Sequence, residues 1–279
     1  MKIGSEAHKQ LFCRTFLDHH RPYVPEQLGW PALDDEALTL LRSLPFWTHA
    51  LQAEEDAGPM ITACAALEPD LMVRQALELQ AFEEARHARI IKHMIELYGL
   101  HADEVQVEIP ADVLQAFIDF GFEECLDSFG AFGLFKLARE HLSIPAALFD
   151  IFDQVMQEEA THIVFFLNWF AYHQATRGLV PRAFRHPKAL RSYVRALRKL
   201  AGLASGDTPD GKDFIINGAD AFVDHLVPGV VLAACLEENT RRLAGFDRRL
   251  LVPQLAPRLA RLALGVLNLR PRRGLRRRA

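Results

Sequence analysis

QAFEEARHARIIKHM, residues 80–94, is strongly helical and mostly apolar, yet it carries Glu84 and His87 three positions apart. Three positions is close to one helical turn, so both side chains leave the helix on one face. With 12 His and 19 Glu in 279 residues, about 0.8 such pairs are expected by chance. Two occur, the second being Glu159/His162 in QEEATHIVFF. The count alone therefore decides little, and the surroundings of the two pairs must.

Half of the residues are hydrophobic and about a quarter are charged, which suits a globular chain with a sizeable core. Strand-like alternation is scarce. Apolar periodicity predicts four long helices, over about 46–66, 70–99, 111–142 and 145–176. Asp112 and Pro145 suit helix starts, and Pro59 should kink or restart the first helix. The fold class expected is all-α, a single domain of 1–279. Its parts are a proline-bearing wrapping segment (1–45), the four helices (46–176), additional helices (177–252) and an amphipathic segment with an Arg-rich tail (253–279). Within these, 188–202 reads as a basic helix, 202–213 as a loop and 214–245 as a fifth long helix.

Placed on those helices, one acid per helix interrupts an apolar stripe. Glu54 lies with Phe46, Ala50, Ala57 and Ile61, and Glu124 with Phe117, Phe120, Ala131 and Phe135. Glu84 shares a face with Leu77 and Ile91, and Glu159 with Phe152 and Phe166. Glu55 and Glu123 stand as alternatives if the helix phases differ. The order repeats: Glu54 precedes Glu84 by 30 residues, Glu124 precedes Glu159 by 35, and both pairs sit in Glu-Glu-Ala-x-His.

Two helix pairs, each offering Glu and then Glu-x-x-His, resemble the ferritin-like di-iron carboxylate superfamily over about residues 46–176, in its bacterial oxidase or oxygenase type. The resemblance implies an antiparallel four-helix bundle with extra terminal helices. It implies a metal site of Glu54, Glu84, His87, Glu124, Glu159 and His162, with bridging roles for Glu84 and Glu159 or for Glu124, and terminal roles for Glu54, His87 and His162. It also implies two iron ions, with manganese or a mixed Fe/Mn pair as the variant, and the reaction of O2 with a small organic substrate. The physics agrees on a metal, since four buried carboxylates are costly unless cations cancel them. Carboxylates with one imidazole per metal suit iron or manganese better than structural zinc.

The segment 117–135 holds six Phe and three Gly, which reads as core packing or as an apolar cavity wall beside the metals. Asp127, one turn past Glu124, could orient a ligand His. Tyr98 and Tyr172 fall about 15 Å beyond the ligand histidines, which argues against a radical-storing subunit. Tyr23 and Tyr193 are not placed by the pattern. His225 reads as a core or surface residue rather than a further ligand. Glu237 and Glu238 are spaced to pair with Arg241 and Arg242.

Cys13, Cys64, Cys125 and Cys235 form no CxxC motif, the N-terminus lacks a secretory apolar run, and no 18-residue apolar stretch occurs. A reduced, cytoplasmic protein is expected. The last ten residues hold six Arg, which leaves the rest near −10 and argues against nucleic acid as a partner of the body. The C-terminal basic segment reads as a docked last helix with a solvated tail, or as a surface for peripheral contact with an anionic membrane or an acidic partner. The chain carries no redox-cofactor motif, so oxidase turnover implies a separate electron donor; a homodimer is common among such bundles. Two other readings stand beside the oxidase: iron handling or peroxide scavenging, and a non-catalytic helical interaction protein whose carboxylates pair with Arg86 and other cations.

Overall fold

The computed structural model describes residues 1–177, 191, 194 and 228–269. The basic helix at 188–202, the loop at 202–213, the first part of the fifth helix, His225, Tyr193 and the arginine tail lie outside the described residues. Every regular element among the described residues is helical: α1 (Glu6–His19), a 3-10 turn (Pro25–Gln27), α2 (Asp35–Ser43), α3 (Trp47–Ala66), α4 (Leu71–Tyr98), α5 (Val113–His141), α6 (Ala146–Thr176), α7 (Pro228–Leu243) and α8 (Leu255–Leu269).

Local chemistry sets the ends. Asp70 caps α4 by accepting from the amides of Met72 and Val73. Gly99 ends it at φ 60°, a left-handed turn that a side chain would resist. Asp112 caps α5 through the amide of Gln115, as its sequence position predicts. Pro59 neither breaks nor restarts α3, which runs on to Ala66.

Helices α3 to α6 enclose one core, with α3 against α4 and α5, and α6 against α4 and α5. Trp47 at the start of α3, Tyr98 at the end of α4 and Leu148 near the start of α6 share one hydrophobic cluster. The start of α5 packs instead at the other end, where Phe117 meets Trp169 of α6. The 99–112 connection must therefore cross from one end of the core to the other, and it sets out along α3: Thr48 accepts from the Asp103 amide, and the Gln106 carbonyl accepts from Gln52. Short connections elsewhere make α3/α4 and α5/α6 antiparallel neighbours.

The N-terminal segment does more than wrap the outside. Helix α1 lies on α4 and α6 and buries Phe12, Cys13 and Phe16 in the main core. Helix α7 covers α5, and α8 covers α7. The glycines of α5 serve these approaches: a Cβ on Gly121 would lie 2.3 Å from the Phe166 ring, and one on Gly133 would lie 2.3 Å from the Cys235 sulfur. None of the four cysteines forms a disulfide, and all four are buried. No helix among the described residues is long and apolar enough to cross a membrane.

Candidate metal centre

The four carboxylates and two imidazoles singled out in the sequence converge at the middle of the α3–α6 core. One ligand-competent group is Glu54, Glu84, His87 and Glu159, and the other is Glu84, Glu124, Glu159 and His162. Within each group the ligand atoms lie within 4.8 Å of one another. The groups share Glu84 and Glu159, so Glu54 with His87 and Glu124 with His162 form matching flanks. The neighbours are elsewhere. Glu55 pairs with Lys92 at 2.6 Å, and Glu123 lies at the mouth of a cavity outside both groups.

Each histidine is held from behind by a carboxylate of the facing helix. His87 on α4 has its Nε2 2.8 Å from Glu158 of α6, and His162 on α6 has its Nε2 2.9 Å from Glu83 of α4. A carboxylate accepts the Nε2 proton, which leaves the Nδ1 lone pair aimed at the site. Both Nδ1 atoms are buried without a hydrogen-bond partner. His87 Nδ1 stands 3.0 Å from Glu159, and His162 Nδ1 stands 3.1 Å from Glu84. Orphaned, deeply buried imidazole nitrogens facing carboxylates are what a bound metal ion would satisfy.

Asp127, which its spacing from Glu124 suggests for orienting a ligand histidine, is not the residue that does so. It lines a cavity on the α3–α5 side, while Glu83 and Glu158 hold the two rings. The sequence does carry a signal for them, since each is the first acid of a Glu-Glu-Ala-x-His copy. Glu158 also accepts from Arg86 at 2.8 Å and from the Tyr23 hydroxyl at 3.0 Å. The Arg86 guanidinium lies over the Tyr23 ring. On the other flank His20 Nδ1 is 2.6 Å from Glu83. Arg86 thus serves Glu83 and Glu158 rather than the ligand carboxylates. Unlike Tyr98 and Tyr172, which lie several turns along their helices from the ligand histidines, Tyr23 stands one carboxylate away from His87.

Charge is strained here without a cation. Burial drives the Glu54 carboxyl up to about 8. Burial, reinforced by Glu84 and Glu159, pushes Glu124 well above the carboxylate range. Burial is outweighed at Glu84, which the adjacent His162 holds at about 2, and Glu159 is lowered in the same way by both histidines. Burial also opposes charge on His87 and His162, yet the carboxylates around them raise both well above the ordinary imidazole value. The same carboxylate field that raises the two imidazoles is one that divalent cations would neutralise.

Two cavities meet at the site. One, of about 210 Å³, is almost wholly apolar and reaches Glu54 and His87. The other, of about 480 Å³, is lined by acids including Asp56, Asp119 and Glu123 and reaches Glu84, Glu124 and Glu159. Ala50, Glu54, Ala131 and Met156 border both. The cavity expected from the Phe/Gly run is only partly of that origin. Phe135 lines the apolar cavity and Phe120 and Phe132 the acid-lined one, whereas Phe117 and Phe122 are core, and Gly121 and Gly133 admit neighbouring helices.

Glu238 pairs with Arg241 and Arg242, while Glu237 reaches Lys136 of α5 instead. No family model, no curated protein and no solved structure matches the chain. The class these observations define is an all-helical protein whose buried Glu/His groups could hold metal.

Proposed function

We propose that the protein is a non-haem di-iron oxidase or oxygenase of ferritin-like architecture, acting with O2 on a small apolar or amphipathic organic substrate. The observation that carries this reading is the pair of ligand groups sharing Glu84 and Glu159, each completed by one Glu and one carboxylate-backed His. Glu84 and Glu159 would bridge two ions. Glu54 and His87 would complete one, and Glu124 and His162 the other. Hard carboxylate oxygens with a single imidazole suit iron, with manganese as the variant.

Two ferrous ions bound there would supply electrons to O2 and the oxidising power for the substrate. The residues supply the rest. Glu83 and Glu158 fix the tautomer and direction of His162 and His87. Arg86 keeps a compensating charge beside Glu158. The apolar cavity at Glu54 and His87 keeps water from one face of the site and favours an organic substrate over iron handling alone. Return of the site to the reduced state implies an external electron donor.

The test is to load the purified chain with Fe(II) without oxygen, count bound iron, then admit O2 and follow the visible spectrum. About two irons per chain and a new oxygen-dependent absorption are expected. No iron above background, with Glu84→Ala and His162→Ala folding like the parent, would leave a helical scaffold.

A further inference from the structure

The apolar cavity is long and narrow. It is bordered on α3 from Trp47 to Glu54 and on α4 from His87 to Met94, in each case about 10 Å from first to last at the helical rise. On α5 its border runs from Ala131 to Ala138, and it continues past the helix end to Leu142. A volume of about 210 Å³ spread over that length leaves little width. Leu44, Trp47, Met94, Phe135, Ile144 and Phe149 line its sides, and its charged side chains, Glu54 and His87, belong to the proposed metal centre.

We infer that this cavity is the binding site for a single unbranched alkyl chain of roughly eight carbons, scaled from a benzene-sized cavity of about 150 Å³. Its methyl end lies toward Leu44 and Ile144, and its functional group lies at Glu54 and His87. The orientation follows from the walls. At the Leu44 end a polar group would lie against apolar walls that offer it no partner, whereas at the metal end it meets Glu54 and the acid-lined cavity. The inference names the substrate class of the oxidase proposed above and rests on that reading only for the events at the metal end.

Binding is separable from metal chemistry, so the test uses the full chain, metal-free. Straight-chain primary alcohols from butanol to dodecanol are titrated calorimetrically, with intrinsic tryptophan fluorescence, to which Trp47 of the cavity wall contributes, as a second readout. Affinity should rise about fourfold per added methylene and level off near eight carbons. Octane-1,8-diol, which must bury its second hydroxyl, should bind at least about tenfold more weakly than octan-1-ol. Ala138→Phe, which fills the middle of the cavity, should move the plateau to shorter chains, and Leu134→Ala should move it to longer ones. Affinity that ignores chain length, or a plateau that neither folded variant moves, overturns the proposal. Failure of iron loading would leave these results standing, and failure here would leave the iron result standing.

Discussion

His162 on α6 points its Nε2 at Glu83 on α4, 2.9 Å away, while Glu158, on the same helix as His162, holds His87 on α4 at 2.8 Å. Each helix thus orients the other's histidine. The coupling is reciprocal, so removing either carboxylate should loosen a ligand on the opposite helix. Glu83→Gln and Glu158→Gln should each weaken metal binding about 10–100-fold. Asp127→Asn should change it little. Titration of the metal-free chain with Mn(II), followed by its paramagnetic signal, separates these outcomes; equal effects of all three variants would refute the assignment.

The crossed arrangement also marks how far the sequence can be read. The six ligand candidates are legible because each belongs to an otherwise apolar face, and a helix that buries one face must bury the acid on it. Glu83 and Glu158 escape that reasoning because the residue before a ligand is rotated about 100° around the helix, off the shared face. Only contact between α4 and α6 turns that offset into a bond to the facing histidine. Tyr23 has no periodicity to place it, since it precedes the 3-10 turn at Pro25–Gln27. The glycines of α5 are legible as small but not as contacts, because what fills the space over Gly133 is Cys235, over a hundred residues away.

The metal-free protein should lose stability as pH rises. A carboxyl whose folded pKa exceeds its unfolded value holds its proton more tightly when folded, so its contribution falls as pH climbs between the two. For Glu54 that window runs from 4.5 to about 8. His87 and His162, raised above 6.5, contribute fully below that value and lose their contribution as pH passes upward through their folded values. Glu84 acts oppositely, but only as pH falls from 4.5 toward about 2. The melting temperature of the metal-free chain should therefore decline from pH 5 to pH 8. The metal-loaded chain should show a flatter profile, and metal uptake in weak buffer should release protons. A rising profile for the metal-free chain would contradict the burial of these groups.

Gly133→Ala tests the docking of α7. The added Cβ would meet the Cys235 sulfur at 2.3 Å and its backbone nitrogen at 2.6 Å, and backbone cannot swing aside as a side-chain tip can. A loss of about 1–3 kcal/mol is expected. Denaturant melts should register it, while metal stoichiometry stays at the parent value because Gly133 lines neither cavity.

Arg86→Leu separates the metal reading from a scaffold whose carboxylates are satisfied by arginine. Arg86 is buried, and it lies 2.8 Å from Glu158 and 3.6 Å from Glu83. Its removal takes the guanidinium from two buried acids and leaves them to their histidine partners, which costs up to about 3–5 kcal/mol. If the six ligands hold metal, Mn(II) should raise the melting temperature of this variant as it does the parent's, because the ligand groups do not include Arg86. If arginine pairing were the purpose of the acids, Mn(II) would stabilise neither protein. Thermal melts of both chains with and without Mn(II) decide between the two.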